Sequence, residues 1–293
     1  MDYHYTLIIP HYNIPDLLER LLQTIPIRDD LQIIVVDDCS PDNCNVKLNQ
    51  LRLKFPNVEF YSTGTNGGGG KARNVGLKYA KGKYILFADA DDYFEDNFND
   101  LLDKYCNQIY DIVYFSAIFE TEEDNLRYYD NYINKFIWKA LKSKAEKDLK
   151  FMFTQPWCKL IRNELITTHS INFEESSISN DVFFSTRVDY YAKTFQIDPS
   201  QSYVWKIRKT STSRELNPQK ILKRLEIDLI RHNFIKSLGR HDHLNYLAMI
   251  EDIDISKDPD LKRSALEICK KFNISKKEIF IVRLKRVLRT LLK

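Results

Sequence analysis

The sequence lacks long apolar runs, and only five of its 293 residues are cysteine. No run approaches the ~20 apolar residues of a membrane-spanning helix, which argues against an integral membrane protein. The cysteines are odd in number and scattered, which argues against a disulfide framework or a zinc ribbon and for reduced thiols in the cytosol. The chain starts without a charged leader and an apolar segment, so we expect it not to be secreted.

Net charge is only +3, but it is unevenly distributed. Residues 1–205 carry 22 Lys and Arg against 30 Asp and Glu, whereas residues 206–293 carry 22 against 11. A basic C-terminal part is typical of a surface that faces an anionic membrane or a nucleic acid. This part lacks interleaved aromatic residues, which argues against nucleic acid.

Glycine is almost confined to one segment, since seven of the eight glycines lie between Gly64 and Gly82. The segment is not a P-loop, because Ala72 rather than Ser or Thr follows Lys71. It is not a dinucleotide fingerprint either, which would follow the first strand. Apolar residues recur with the helical period from Ala72 to Ala80, so the glycines lead into a helix packed on a sheet.

Three carboxylates follow the predicted strand that comes next, over residues 84–88. Asp89, Asp91 and Asp92 stand at its carboxyl end, where open α/β sheets bind ligands. Their mutual repulsion favours a divalent cation, and Mg²⁺ typically takes one or two carboxylates plus substrate phosphates. Backbone N–H groups at a helix N-terminus with cations in its first turn suit a phosphate. The plainer alternative is a solvated acidic turn.

Strand and helix patterns alternate along the first part of the chain. This alternation predicts an α/β fold with a mostly parallel central sheet flanked by helices. Residues 215–293 have helical periodicity, so we expect a domain over 1–212 and a helical basic extension over 213–293. The predicted strands are residues 5–9, 31–36, 58–61, 84–88 and 112–119, with a further strand from Tyr203 that leads into a basic loop. Predicted helices include one that starts near Pro15 and one from Val182 to Tyr191.

Several blocks of residues occur in a recognisable order. They are Pro10-x-Tyr12-Asn13, Val36-Asp37-Asp38-Cys39-Ser40, Asn66-Gly67 with Ala72-Arg73-Asn74-x-Gly76, and Asp89-x-Asp91-Asp92. In this order they resemble the family 2 glycosyltransferases of the GT-A fold. The resemblance is close over residues 5–93 and resumes at residues 157–162, 173–175 and 180–184. The family's usual Glu-Asp pair is Asn180-Asp181 here, which leaves the role of Asn180 open.

The resemblance implies an inverting transfer of a sugar from a nucleotide diphosphate, first of all a UDP-sugar, to an acceptor hydroxyl. Asp91 and Asp89 would bind Mn²⁺ or Mg²⁺, and Asp181 would be the general base. Pro10 and Tyr12 would flank the nucleotide base. The implied donor-binding residues are Pro10, Tyr12, Asp38 on the uracil N3–H, Asn66, Gly67, Lys71, Arg73, Asn74, Asp89 and Asp92, the last facing the donor sugar or the acceptor.

Some of these residues also fit plain structural roles. Asp37 and Asp38 suit an Asx-type turn. Arg73 suits a solvated helix face. Asp181 suits the N-cap of the helix predicted over residues 182–191.

The resemblance also implies functions for two later stretches. It places Trp157 and Lys159 on the acceptor side, where a ring beside a cation suits a sugar and a phosphate, although Trp157 equally suits the core. In the basic loop after the last predicted strand, Arg208, Lys209 and Ser211 are candidate diphosphate ligands. A solvated basic edge strand is the alternative there.

The C-terminal residues 281–293 have the pattern of a short basic amphipathic helix. This helix fits peripheral contact with an anionic membrane, or packing in a core or a homodimer. His241-Asp242-His243 has too few ligands for a metal site. By analogy, we expect a cytoplasmic enzyme, at the inner face of the membrane if the helix binds it, with a glycan or lipid-linked acceptor in bacterial surface polysaccharide synthesis.

Two other functions compete with this interpretation. A sugar-phosphate nucleotidyltransferase would need a glycine-rich basic loop directly after the first strand, where this chain has Pro10-His11-Tyr12-Asn13. A non-catalytic nucleotide-sugar-binding module is disfavoured because every acidic position of the motifs is filled.

Overall fold

The structure is a computed structural model that describes residues 3–143, 149–151, 153–176, 178–208, 217–239, 258–275 and 277–279. The chain divides into two compact units, Met1–Lys209 and Thr210–Lys293. Among the described residues, no helix is both long and apolar enough to cross a membrane.

The first unit alternates strands and helices. Its strands are β1 Tyr5–His11, β2 Leu31–Asp37, β3 Val58–Ser62, β4 Tyr84–Phe87, β5 Tyr93–Phe94, β6 Ile112–Thr121, β7 Arg127–Tyr128, β8 Lys159–Arg162 and β9 Phe195–Ile207. Its helices are α1 Pro15–Gln23, α2 Asp42–Lys54, α3 Gly68–Tyr79, α4 Phe98–Tyr105, α5 Tyr132–Ser143, α6 Asn163–Thr168 and α7 Val182–Tyr191. The strands predicted from apolar runs and the helix after the glycine segment are all confirmed.

The strands form one mixed sheet in the order β3-β2-β1-β4-β8-β6-β9-β5, with β7 paired to β6. The half made of β3, β2, β1 and β4 is parallel, as expected. Strand β8 runs antiparallel to both of its neighbours, β4 and β6, whereas β6 and β9 are parallel. Because β9 pairs with β6 on one side and β5 on the other, it is not the solvated edge strand that the sequence allowed.

Continuous apolar runs place the parallel strands in the core, and every residue of β2 is buried. Helix α3 packs against β1 at very short range. A Cβ at Gly76 would lie 2.5 Å from the Ile8 side chain, so only glycine allows this approach. The carboxyl ends of β1, β2 and β4 therefore lie side by side, next to the N-terminal end of α3.

The described part of the second unit contains the helices α8, Pro218–Ser237, and α9, Pro259–Lys271. They pack through a small cluster that includes Leu225, Leu229, Leu261 and Ala265. The Asp258 carboxylate caps α9 by accepting the N–H groups of residues 260 and 261. Three sequence-derived expectations lie outside the described residues: the amphipathic helix at 281–293, the His241-Asp242-His243 cluster, and the ligand roles of Lys209 and Ser211.

Candidate active site

Two of the three carboxylates in the acidic turn after β4 are each paired with an arginine from a different part of the chain. Asp92 N–H closes the turn by donating to the Asp89 carbonyl at 3.0 Å. Arg73, from α3, pairs with the Asp89 carboxylate at 2.5 Å. Arg208, which follows β9, pairs with Asp91. Two guanidinium groups from positions far apart in sequence therefore pair with the carboxylates of the turn, and Arg20 donates to its Asp91 carbonyl.

The turn combines a carboxylate whose ionised form is disfavoured with two guanidinium groups that are not fully hydrogen-bonded. Burial raises the pKa of Asp91, and the neighbouring charge of Asp89 raises it further, although the Arg208 guanidinium acts in the opposite direction. The Nε atoms of Arg73 and Arg208 are buried and have no hydrogen-bond partner among the described residues. Both guanidinium groups thus keep hydrogen-bonding capacity that the protein itself does not use. The alternative that Arg73 lies on a solvated helix face is wrong, since only 7% of its side chain is exposed.

Asp92 has a different environment from its two neighbours. It is 1% exposed and accepts the Tyr203 hydroxyl at 2.5 Å and the Lys206 backbone N–H at 2.8 Å. Burial, with the charges of Asp91 and Asp89, raises its pKa well above the usual range. Asp92 is therefore not oriented toward a donor sugar or an acceptor, and that expectation is corrected: the carboxylate anchors the acidic turn to β9.

Tyr203 completes this anchor. Its hydroxyl donates to Asp92 and accepts the Asp89 backbone N–H at 3.0 Å, and the whole side chain is buried. The sequence predicted the strand that carries Tyr203 but gave no sign of this bridge, because the partners are more than 100 residues apart.

Trp157 and Lys159 lie in the core rather than on an open acceptor surface, which corrects their predicted placement. Trp157 is 4% exposed and stacks on Tyr203 with ring centroids 5.1 Å apart. Lys159 is fully buried and donates to the Phe153 carbonyl at 2.6 Å. The reason is topological: Lys159 begins β8, which lies between β4 and β6 inside the sheet.

The Asp38 carboxylate organises the glycine bend. It accepts the backbone N–H groups of Gly67 at 3.1 Å and Gly68 at 2.6 Å, and the Thr63 hydroxyl at 2.8 Å. An anion is favoured at this helix N-terminus, and here the protein supplies it. The sequence had suggested that these two N–H groups bind a phosphate. Because Asp38 accepts both of them, they are not open to one, and that expectation is corrected. Gly68 itself has φ +84°, which favours glycine.

Asp37 makes the Asx-type turn that the sequence allowed. Its carboxylate accepts the Ser40 N–H at 3.0 Å and the Ser40 hydroxyl. It also pairs with Nδ1 of the buried His11 at 2.8 Å. His11 was not singled out from the sequence, although it stands within the Pro10-x-Tyr12 block. The network ties the ends of β1 and β2 together.

Asp181 stands at the start of α7, but its carboxylate makes no capping hydrogen bond to the helix. Burial raises its pKa, and the nearby Arg73 opposes that shift. The Oδ1 atom of Asn180 accepts from Arg73 Nη1 at 2.9 Å, so Arg73 connects the acidic turn with the segment that carries Asp181. A Cβ at Gly70 would lie 2.1 Å from the Glu174 carbonyl oxygen, so glycine is required for this approach.

The other predicted donor-binding residues divide into two groups. Asn74 is fixed by the backbone of Phe173, with bonds of 3.0 and 2.8 Å, and Lys71 donates to the Thr65 carbonyl at 3.0 Å. Tyr12 is 48% exposed and Asn66 is also exposed, while Pro10 at the end of β1 is half-buried. Their contacts with a nucleotide stay predictions.

Comparisons with known proteins identify the family and the fold of the chain. The family model described as "Glycosyl transferase family 2" matches residues 6–169. The chain is 30% identical to the minor teichoic acid biosynthesis protein GgaB of Bacillus subtilis over 224 residues, 72% of this chain and 24% of that protein. It is 45% identical over 94 residues to a poly(ribitol-phosphate) beta-glucosyltransferase of Bacillus spizizenii, 30% of this chain and 15% of the relative. The chain thus spans a quarter or less of these relatives' length.

Two solved structures resemble the fold. S. aureus TarS 1–349 in complex with UDP-GlcNAc superposes with a TM-score of 0.64 at 18% identity, covering 92% of this chain and 80% of the other. The mannosyltransferase PcManGT from Pyrobaculum calidifontis, in complex with GDP-Man and Mn²⁺, gives a TM-score of 0.61 at 15% identity, covering 98% and 85%. At these identities the likeness shows the fold, and it is the GT-A fold that the sequence predicted.

Proposed function

Since the chain belongs to glycosyl transferase family 2, we propose that it transfers a sugar from a UDP-sugar to a hydroxyl group of a bacterial surface polymer, with inversion at the anomeric carbon. The observation that carries the proposal is the acidic turn after β4. Asp89 and Asp91 lie there between Arg73 and Arg208. Carboxylates flanked by guanidinium groups suit a metal-bound diphosphate, because the arginines complement the phosphate oxygens.

The carboxylates of the acidic turn fit a divalent cation that binds together with the diphosphate of the substrate. Within the part of the chain that the structure describes, no three His, Cys, Asp or Glu side chains are arranged to hold a metal ion by themselves. Mg²⁺ is commonly held by one or two carboxylates plus substrate phosphates, and Asp91 and Asp89 supply that number. Once bound, the cation would stabilise negative charge on the leaving diphosphate.

The protein's own groups account for the remaining steps. Arg208 and Arg73 would orient the diphosphate and offset its charge. Asp181 would accept the proton of the attacking hydroxyl, for which its raised pKa and its lack of a helix-capping hydrogen bond are suited, since a stronger base removes a proton more readily. Because the acceptor oxygen attacks the anomeric carbon directly and no protein nucleophile intervenes, the configuration inverts.

The acceptor is proposed from the relatives. Two of them are named for teichoic acid or poly(ribitol-phosphate). A polyol-phosphate polymer is therefore the first acceptor class to test, with a cytoplasmic site of action. The basic amphipathic pattern at 281–293, which lies outside the described residues, would be the place for peripheral membrane contact or for a second subunit.

The experiment is UDP release from UDP-glucose and UDP-GlcNAc, with a synthetic ribitol phosphate oligomer as acceptor, in Mn²⁺ and in excess chelator. We expect acceptor-dependent UDP release that requires the metal and disappears in Asp181→Asn. Pyrophosphate release from UTP and a sugar phosphate would instead identify a nucleotidyltransferase. Tight UDP binding without any turnover would identify a binding module.

A further inference from the structure

A pair of polar side chains beside the start of α7 has hydrogen-bonding capacity that the protein does not use. Gln155 Nε2 donates to the Tyr132 hydroxyl at 2.7 Å. The Gln155 Oε1 atom is buried and has no hydrogen-bond partner among the described residues. A buried polar atom without a hydrogen-bond partner destabilises a protein, so its presence at a site suggests that a ligand supplies the partner.

The pair lies next to the proposed base. The Ser185 hydroxyl donates to the Gln155 carbonyl at 3.5 Å, and the Ser185 N–H donates to the Asp181 carbonyl at 2.9 Å. Gln155 is thus held against the first turn of the helix that Asp181 begins. Burial raises the pKa of Tyr132 to about 12, and the charges of Cys158 and Asp181 add to this shift, which agrees with the proximity of the phenol to Asp181.

Tyr132 is accessible as well as anchored. It is 41% exposed, and its ring packs edge-on against Phe119 at a centroid distance of 5.4 Å. The Tyr132 side chain therefore lies at the boundary between the core and the solvent. Because Tyr132 is the first residue of α5, its position is fixed by that helix.

A hydroxyl group of a ligand fits the hydrogen-bonding atoms that Gln155 and Tyr132 leave unused. With Nε2 bonded to the phenol, Oε1 accepts and the phenol O–H donates. With the amide turned over, the phenol donates to Oε1, and Nε2 donates while the phenol oxygen accepts. In either orientation the pair offers at least one donor and one acceptor. A hydroxyl group, which both donates and accepts, satisfies both.

We propose that Gln155 and Tyr132 bind a hydroxyl of the acceptor adjacent to the one that Asp181 deprotonates, and so select polyol or sugar acceptors with neighbouring hydroxyls. This inference rests on the proposed function and names the substrate class of the same site. It gives the two side chains a role in positioning the acceptor rather than in binding the donor.

The test compares Gln155→Leu and Tyr132→Phe with wild-type protein, using UDP-GlcNAc and UDP-glucose with a ribitol phosphate oligomer as the acceptor probe. Each variant should raise the acceptor KM about 5- to 20-fold, the effect expected for one or two lost hydrogen bonds. The UDP Kd and the slow hydrolysis of the donor without acceptor should stay within about 2-fold of wild type. Gln196→Leu is the matched control, because among the described residues the Gln196 side chain donates only to the adjacent Ile197 carbonyl, and its loss should leave every value unchanged.

A second pair of acceptors sharpens the result. Ribitol 5-phosphate has neighbouring hydroxyls, whereas 1,3-propanediol phosphate has none. The ratio of the kcat/KM values for these two acceptors should therefore be smaller in the variants than in the wild type. An unchanged acceptor KM in both variants, with wild-type enzyme active, overturns this inference alone. An equal loss of UDP affinity also overturns it, because the pair would then act on the donor. Wild-type protein that binds UDP but transfers sugar to neither acceptor nor the oligomer overturns this inference and the proposed function together.

Discussion

Tyr203→Phe tests whether the acidic turn depends on a single buried hydroxyl. The hydroxyl donates to the Asp92 carboxylate and accepts the Asp89 N–H. The substitution therefore removes both hydrogen bonds at once. A hydrogen bond to a charged group contributes about 1.5–3 kcal/mol, and the orphaned N–H adds to that cost. We therefore expect the free energy of unfolding to fall by about 2–4 kcal/mol, with a Tm decrease of about 5–12 °C for a unit of this size.

The substitution should also weaken nucleotide binding. Burial raises the pKa of Asp92, whereas the Tyr203 hydrogen bond lowers it, so removing the hydroxyl should raise the pKa of Asp92 further and leave the carboxyl group with only the Lys206 N–H as a partner among the described residues. With its anchor weakened, the turn would no longer hold Asp89 and Asp91 in place. We expect the UDP Kd measured by calorimetry in Mn²⁺ to rise about 10-fold or more, since small misplacements of ligand groups cost this much.

Tyr105→Phe is the matched control for this variant. The Tyr105 hydroxyl also donates to a buried carboxylate, Asp198, at 2.9 Å, but the pair lies on α4 and the first part of β9. Its loss should lower the Tm and leave UDP binding intact. If Tyr203→Phe loses stability but binds UDP as wild type does, the hydroxyl supports the fold and not the site, and our reasoning about the turn is refuted.

Three other substitutions test the remaining parts of the site. Asp181→Asn should lower the transfer rate at least about 100-fold with an unchanged UDP Kd. Because burial raises the pKa of Asp181 and a base must be deprotonated, kcat/KM of the wild type should increase with pH through a value above the ordinary aspartate range. An increase that is already complete at or below pH 4 would contradict the assignment of Asp181 as the base. Gly70→Ala should destabilise the protein by about 1–3 kcal/mol in chemical denaturation, since its Cβ would meet the Glu174 carbonyl at 2.1 Å, whereas Gly69→Ala meets only the end of the Arg73 side chain and should be milder. Arg208→Gln should raise the UDP Kd while the Tm changes little, and unaltered binding would remove Arg208 from the site.

Much of the fold was readable because local patterns determine it. The runs that became β1, β2 and β4 are continuous apolar segments, and such segments are buried in parallel sheets. Helix α7 was predicted over Val182–Tyr191 and is found there. The insertion of β8 between β4 and β6 was not readable, because strand order depends on contacts far apart in sequence. That insertion is why Trp157 and Lys159 are buried.

The same limit applies to the site. The acidic turn was predicted because its three carboxylates are adjacent in sequence, and it is found beside Arg73 as the glycine segment had indicated. The different fates of Asp91 and Asp92 could not be predicted, since one faces Arg208 and the other is enclosed by Tyr203 and Lys206 from β9. Asp38 and the glycine bend illustrate a further limit: a carboxylate expected at the uracil also holds the backbone of the bend.

Calorimetric titration of UDP into wild-type protein and Asp91→Asn, each with and without Mn²⁺, tests most directly whether the acidic turn holds a metal-bound diphosphate. We predict that Mn²⁺ tightens UDP binding to the wild type at least about 10-fold and that Asp91→Asn loses this gain while keeping its weak metal-independent binding. Equal UDP affinity in all four titrations would contradict the assignment of the turn as the diphosphate site.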